Sequence, residues 1–112
     1  MWLFLPEGFL SIVAVQGEER GPTLLVRARA AGHIEACFPD AEVATTPDAD
    51  YRYRAFVPRE QVVAALVQQV QDLCYTNFKT AIPSRAYHDA ALEAWGVMHR
   101  FQDRSSSSAN RS

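Results

Sequence analysis

Arginine carries nearly all the positive charge of this 112-residue chain, and its spacing is the first sign of chemistry. Of the 11 basic residues only Lys79 is a lysine, so the other ten are arginines. Two pairs have i, i+2 spacing, namely Arg27 with Arg29 and Arg52 with Arg54. A guanidinium group binds phosphate or carboxylate through two parallel hydrogen bonds, which a lysine ammonium group does not offer. The pairs therefore indicate an anion-binding surface.

Two other interpretations of the arginine pairs stay open. Side chains two residues apart on a strand project from the same face, so each pair predicts a strongly positive patch. That patch could be a solvated surface partly neutralised by acidic neighbours such as Asp48 and Asp50, or it could form salt bridges to another protein. The formal net charge of the chain is -2, which excludes a generally basic DNA- or RNA-binding protein.

The connection from Tyr75 to Lys79 is the second candidate binding segment. Asn77 offers donors and an acceptor that suit a base edge or a ribose, and the ring of Phe78 could stack on a base. The alternative is structural: Asn77 forms a turn or caps a helix, and Phe78 packs in the core. Composition and spacing do not separate these two interpretations.

Signals for catalysis or metal binding are weak. Cys74 and His88 could form a thiol–imidazole pair, but a chain with two cysteines and three histidines offers such a pair by chance. The histidines, cysteines and acidic residues lack the spacing of a metal site, and the five glycines form no phosphate-binding motif. We therefore predict a binding protein that is not an enzyme, with no metal and no cofactor.

The elements that must position these residues follow from hydropathy patterns and turn residues. Antiparallel hairpins are expected because short polar turns separate the strands. The predicted fold is α+β, with a four-stranded antiparallel sheet, one short helix and two longer C-terminal helices in two layers. The predicted strands are 9–15, 23–30, 42–46 and 51–57, and the predicted helices are 32–38, one that begins at Pro58, and 85–102.

Domain organisation and location follow from the ends and the cysteines. Residues 1–102 are predicted to form one domain, and the Ser-rich residues 103–112 a disordered tail. No apolar run approaches the length of a membrane span, and the apolar start lacks the positive region of a signal peptide. Two isolated cysteines favour reduced thiols and a cytoplasmic location. The small size favours a homo-oligomer.

Several separated blocks of the sequence resemble a widespread group of small bacterial and phage proteins, most without an assigned function. The resemblance covers about residues 1–102. The group in turn is similar to the viral anti-Thoeris sponges, which are small oligomeric α+β proteins. The blocks are Met1–Phe4, Gly8–Phe9, Val26–Arg29, Asp50–Arg54, Val57–Arg59, Tyr75–Lys79 and Tyr87–His88, with Trp95, Met98 and Gln102 near the end.

The resemblance implies a function. Sponges of that family bind cyclic ADP-ribose isomers, and some bind cyclic oligonucleotides, so that the immune signal is sequestered intact. It implies a cytoplasmic homo-oligomer that counters anti-phage defence in the host bacterium and contacts neither a membrane nor DNA or RNA. Their pockets use arginines on phosphates, an asparagine and an aromatic ring. At matching positions the implied ligand-binding residues are Arg27, Arg29, Arg54, Asn77 and Phe78, with Arg85 and Arg100 as further candidates.

Two alternatives to a sponge remain at this point. One is a protein-interaction module that uses the arginine-rich face of the sheet. The other is a small nucleotide-processing enzyme with His88 as acid or base. Recovery of bound ligand, intact or altered, distinguishes the sponge from the enzyme.

Overall fold

A five-stranded antiparallel sheet with three α-helices forms the fold, in a computed structural model that describes residues 1–109. The predicted α+β class with an antiparallel sheet is confirmed, but the sheet has five strands in the order β1-β2-β3-β5-β4 rather than four. The elements are β1 (Trp2–Leu5), β2 (Gly8–Ala14), β3 (Thr23–Ala28), α1 (His33–Cys37), β4 (Ala44–Thr45), β5 (Tyr53–Pro58), α2 (Arg59–Gln71), a 3₁₀ helix (Lys79–Ala81) and α3 (Arg85–Ala109).

The strand that the prediction missed is β1, the N-terminal edge of the sheet. It forms a tight hairpin with β2, in which Leu5 lies opposite Gly8. Only Pro6 and Glu7 separate the two strands, so the proline that interrupts the apolar run marks a turn. The short apolar stretch before it therefore extends the sheet by one strand.

One face of the sheet carries the main core. Alternate residues of the central strands point to this face, and α1 and α2 cover it. Ile34 of α1 is fully buried there, and Val62 of α2 is almost so. The buried set consists of Leu10, Ile12, Val26, Ala28, Ile34, Phe38, Ala55, Val57 and Val62.

Helix α3 packs elsewhere, which corrects the prediction of two layers with all helices on one face. Its first turns bury Tyr87 and Ala91 against Phe9. Phe9 points away from the main core, because its neighbour Leu10 lies within that core and side chains alternate along a strand. Helices therefore contact both faces of the sheet.

The two longer helices bury less of their apolar surface than the hydropathy pattern predicts. In α2, Val63 and Val70 are exposed although these valines recur at helical spacing. In α3, Trp95, Met98 and Phe101 are more than half exposed, at 54%, 60% and 52%. Among the described residues, Val62 is the one buried residue of α2, and Tyr87 and Ala91 are those of α3, so most of the apolar surface of both helices stays exposed.

The last helix also continues further than predicted. It is described as Arg85–Ala109, so it continues past the predicted end near Gln102 within the described part of the chain. No glycine or proline follows Gln102 to stop the helix, and serine lowers helix propensity only modestly. The remaining residues of the predicted tail, 110–112, lie outside the described residues.

Candidate functional site

Strand pairing brings two of the predicted arginines face to face. In the β3–β5 ladder Arg27 lies directly opposite Arg54. Residues opposite each other in adjacent strands share one face of the sheet, so both guanidinium groups leave the same side. Like charges in this arrangement repel each other, which makes this pair costly unless other groups compensate.

Tyr51 supplies part of that compensation. The Arg27 guanidinium carbon lies 4.4 Å from the centroid of its ring, and that of Arg29 lies 4.1 Å away. Tyr51 is only 4% exposed, but the Arg29 side chain is 52% exposed, so the Arg29 contact contributes about 0.5–1 kcal/mol and the Arg27 contact up to about 2 kcal/mol. Both guanidinium groups therefore pack on this one ring.

The position of Tyr51 departs from regular strand alternation. Alternation along a strand places the rings of Tyr51 and Tyr53 on the face opposite the arginines. Only Tyr53 follows that pattern, as the first residue of β5 packed against the main core. The backbone bends over residues 50–52, before β5 begins, and this bend places the Tyr51 ring among the guanidinium groups.

Arg29 and Arg52 were predicted to lie within strands, but Arg29 lies just after the end of β3 and Arg52 just before the start of β5. Arg29 follows the end of β3, and its Nη1 donates to the backbone oxygen and to Oδ1 of Asp50, at 3.0 and 3.1 Å. This hydrogen bond raises the pKa of Arg29, because the carboxylate favours the protonated guanidinium. Arg52 precedes β5, is exposed, and does not contact the Tyr51 ring.

Arg27 is the most enclosed of the three guanidinium groups. Its Nη2 donates to Ser11 Oγ at 2.8 Å, while its Nε is buried and has no hydrogen-bond partner among the described residues. Ser11 itself is fully buried. Arg54 contributes a longer bond, from Nε to the Tyr51 backbone oxygen at 3.4 Å. We call Arg27, Arg29, Arg54 and Tyr51 the arginine cluster.

An aromatic cavity begins beside the arginine cluster. Its volume is about 290 Å³, and Arg29 lines it together with Phe4, Phe9 and Tyr87. Tyr87 donates from its hydroxyl to the Leu5 backbone oxygen at 2.7 Å, which fixes the start of α3 to β1. Burial, and then the charge of Glu7, raise the pKa of Tyr87, so this hydroxyl stays protonated. We call this space the Arg29 cavity.

A second cavity lies on the other side of Phe4. Its volume is about 480 Å³, and it is lined by the predicted residues Asn77 and Phe78 together with Lys79 and Trp95. The Lys79 ammonium group sits 4.6 Å from the centroid of the Trp95 ring. Phe4 lines both cavities, so the space beside Arg29 and the space beside Asn77 share one ring as lining. We call this the Asn77 cavity.

Asn77 and Phe78 also have structural roles. Asn77 Oδ1 accepts a hydrogen bond from the Lys79 backbone N–H at 3.0 Å, which forms the turn before the 3₁₀ helix. Phe78 packs against the small cluster of Ile82, Tyr87 and Ala91. Both roles are those of the structural alternative, yet both residues line the cavity.

The two remaining candidates are not brought to either cavity. Arg85 is the exposed first residue of α3. Arg100 lies on the exposed part of the same helix, with Nη1 close to Gly96. The structure therefore gathers Arg27, Arg29 and Arg54 in one place and Asn77 with Phe78 in another.

Three residues that the sequence pattern did not predict also contribute to the site: Ser11, His33 and Phe4. His33 Nδ1 accepts a hydrogen bond from the Phe9 backbone N–H at 3.1 Å, and its ring also lines the Arg29 cavity. Phe4 and Ser11 were missed because their placement depends on β1 and on the β2–β3 register. The one available signal was the alternation of Trp2 and Phe4 with leucines.

The histidines and cysteines that the sequence offered for catalysis or metal binding are placed as follows. His88 Nδ1 lies 3.3 Å from Asp89 Oδ1, but these are neighbours in sequence on an outer part of α3. Cys74 is exposed, and burial raises the pKa of the Cys37 thiol. Across the same residues, no three or more His, Cys, Asp or Glu side chains are placed to hold a metal ion.

Comparisons with known proteins identify no relative of this chain. No family model, curated protein or solved structure matches this chain. Within the described part of the chain, no helix is both long enough and apolar enough to cross a membrane.

Proposed function

We propose that this protein binds a cyclic nucleotide and sequesters it without chemical change. The observation that carries the proposal is the arginine cluster, in which Arg27 and Arg29 pack on the buried Tyr51 ring and Arg54 bonds the Tyr51 backbone oxygen, beside an aromatic cavity. Asp50 is the one carboxylate bonded to these groups among the described residues. The cluster thus concentrates positive charge that a phosphate or pyrophosphate would neutralise.

The energetics of Arg27 support an anionic ligand. A buried donor without a partner costs about 1–3 kcal/mol, and Arg27 Nε is such a donor. The opposed guanidinium groups of Arg27 and Arg54 add repulsion. A phosphate oxygen bound to the accessible nitrogens of these groups would offset the repulsion, so ligand binding would relieve a cost that the free protein carries.

The aromatic cavity supports a ligand with a base. Arg29 lines it, and so do the rings of Phe4 and Phe9, which pack on each other with centroids 4.6 Å apart. Stacking of a base on an aromatic ring contributes about 1–3 kcal/mol. The adjacent Asn77 cavity offers an amide and a tryptophan ring for a second base or a ribose. The two cavities flank Phe4, which suits a ligand larger than a mononucleotide.

The narrower form of the proposal concerns the signal itself. The resemblance to anti-Thoeris sponges points to a cyclic ADP-ribose isomer or a cyclic oligonucleotide, held in the cytoplasm of a host bacterium so that anti-phage defence is not activated. Sequestration requires tight binding, with a dissociation constant near 1 nM, or about −12 kcal/mol. It requires no catalytic group.

Calorimetric titration tests this function directly. The panel contains cyclic ADP-ribose isomers, cyclic dinucleotides, linear ADP-ribose and inorganic phosphate. Bound material is then released by heating the protein and identified by mass spectrometry. We expect tight binding of one cyclic nucleotide and its recovery unchanged. Release of an altered nucleotide would identify an enzyme, and an absence of binding across the panel would reject the proposal.

Matched variants locate the binding. Replacing Arg27 or Arg29 with methionine keeps an unbranched side chain but removes the charge, and should weaken binding about 10- to 100-fold, equivalent to a charged hydrogen bond of about 1.5–3 kcal/mol. Arg20→Met removes a charge from an exposed turn and should have no effect. Asp50→Asn releases Arg29 from its carboxylate and should tighten binding. Equal losses in Arg20→Met and Arg27→Met would show that only the overall charge matters.

A protein-interaction module is the second candidate, and one observation favours it. The face that carries Arg27 and Arg54 also exposes Phe56, which is 66% exposed and lies opposite Leu25. An apolar side chain beside guanidinium groups is typical of protein interfaces. This candidate predicts no nucleotide binding, so the same titration separates it from the first.

A further inference from the structure

Edge strand β1 presents unpaired backbone groups in a regular pattern. Met1 and Ile12 exchange two backbone hydrogen bonds, from Ile12 N to Met1 O at 2.8 Å and from Met1 N to Ile12 O at 2.7 Å. In an antiparallel ladder such pairs alternate with pairs that exchange none. Leu3 and Leu5 therefore point their backbone groups toward β2, and Trp2 and Phe4 point theirs outward, away from the sheet.

The alternation agrees with the other side of β2. Phe9 lies opposite Phe4, so its own N–H must point away from β1. This N–H donates to His33 Nδ1 at 3.1 Å, which agrees with the alternation of backbone directions along the strand. The outward direction of the Phe4 and Trp2 backbone groups is thus supported at both ends of the hairpin.

This edge lacks the features that usually prevent strands from pairing. Residues 2–5 contain no charge and no proline, and their pairing with β2 runs without a bulge. Trp2 is 69% exposed and Phe4 is 42% exposed. The opposite edge differs, because β4 is only the two residues Ala44–Thr45 and is followed by Pro47. One edge is blunted and the other is open.

We propose that two copies of this chain join through β1 to form one continuous ten-stranded antiparallel sheet. The strand is self-complementary: with Leu3 on the two-fold axis, Trp2 of one copy lies opposite Phe4 of the other. Both residues have outward backbone groups, so each such pair exchanges two hydrogen bonds, and symmetry gives four in all. Their rings share one face, which places two Trp–Phe cross-strand pairs beside the new ladder.

The second copy would also add to the ligand site. Phe4 lines both the Arg29 cavity and the Asn77 cavity. Trp2 of the second copy would lie directly across from it, on the same face, and would extend the wall that the two cavities share. The inference does not rest on nucleotide binding, since it follows from the edge alone. The dimer proposal and the nucleotide-binding proposal can fail independently, because association of the chain is measured in the absence of nucleotide.

Sedimentation equilibrium and amide hydrogen exchange test the edge pairing. The wild-type chain should be dimeric at micromolar concentration, and the Phe4 amide should exchange slowly in the dimer, at least 100-fold slower than an open edge amide. A monomer at 100 µM, or an unprotected Phe4 amide in a dimer, would overturn the proposal.

Three variants separate strand pairing from other apolar contacts. Trp2→Pro removes an outward donor and is tolerated on an edge strand, so it should weaken the dimer at least 100-fold while the thermal transition is retained. Trp2→Val removes the ring but keeps the donor, and should weaken the dimer by less than 10-fold. Phe101→Glu changes an exposed residue of α3 and should leave the dimer intact. The proposal fails if Trp2→Val is as damaging as Trp2→Pro, or if only Phe101→Glu dissociates the dimer.

Discussion

At the scale of single residues, the arginine cluster places three positive charges close together with one acidic partner, Asp50, among the described residues. Arg27 and Arg54 face each other across two strands, and the bond from Arg54 to the Tyr51 backbone oxygen is long, at 3.4 Å. Such an arrangement lowers the stability of the free protein. A site that costs stability in this way is typical of a functional surface, since selection for stability alone would remove one of the charges.

Arg54→Met should therefore stabilise the fold while it weakens ligand binding. Removing the opposed charge should raise the free energy of unfolding by about 0.2–1 kcal/mol. The gain should shrink in 1 M salt, where charges are screened beyond about 3 Å. Chemical denaturation at low and high salt measures both effects.

Arg52→Met is the matched control for that variant. Arg52 is exposed and lies before β5, where no arginine faces it in the ladder. Its replacement should change stability by less than about 0.5 kcal/mol at either salt concentration. A loss of stability in Arg54→Met larger than in Arg52→Met would show that the guanidinium group stabilises the sheet.

At the scale of elements, the β1–β2 hairpin and α1 depend on one close approach. A Cβ atom at Gly8 would lie 2.5 Å from His33 Cγ and 2.8 Å from His33 Cβ. The His33 ring therefore packs directly on the backbone at the start of β2, where it also accepts the Phe9 N–H. The hairpin turn and the start of α1 are fixed to each other by this contact.

Gly8→Ala should destabilise the protein by about 1–3 kcal/mol. The added methyl must displace the base of the His33 side chain, which overpacks the contact and breaks the hydrogen bond to Phe9. Thermal unfolding measures the loss. The His33–Tyr87 ring contact, at 5.2 Å between centroids, should loosen with it.

Gly96→Ala provides the opposite control within the same chain. Gly96 lies inside α3, and a methyl group at this position would have only Arg100 Nη1 nearby, at 3.5 Å. Alanine has higher helix propensity than glycine by about 1 kcal/mol, so this variant should be neutral or more stable. If both glycine variants lose stability equally, the His33 contact is not the cause.

At the scale of the whole molecule, apolar surface is distributed beyond what one small core can bury. Helix α3 continues past its packed first turns and exposes Trp95, Met98 and Phe101. The end of this helix, by contrast, is polar, and residues 103–106 are exposed. The first region is suited to contacts with a ligand or a partner, and the second contributes little to packing.

Ending the chain after Gln102 should therefore leave stability nearly unchanged. The one side-chain pair lost among the described residues is His99–Asp103, at 3.8 Å and largely exposed, which contributes no more than about 0.5 kcal/mol. Helical circular dichroism should fall, while the unfolding midpoint and the association state should not change. A loss above about 1 kcal/mol would show that the end of α3 packs against the domain.

The sequence by itself determined the α+β class, the central hairpin and the i, i+2 arginine spacing, because hydropathy alternation and turn residues act over a few neighbouring positions. Only the tertiary structure decided that Arg27 faces Arg54, that the Tyr51 ring lies beneath Arg27 and Arg29, and that Trp2–Leu5 forms an edge strand. The physical reason is register. A bend at residues 50–52 and pairing between distant strands set which side chains meet, and no local pattern specifies either.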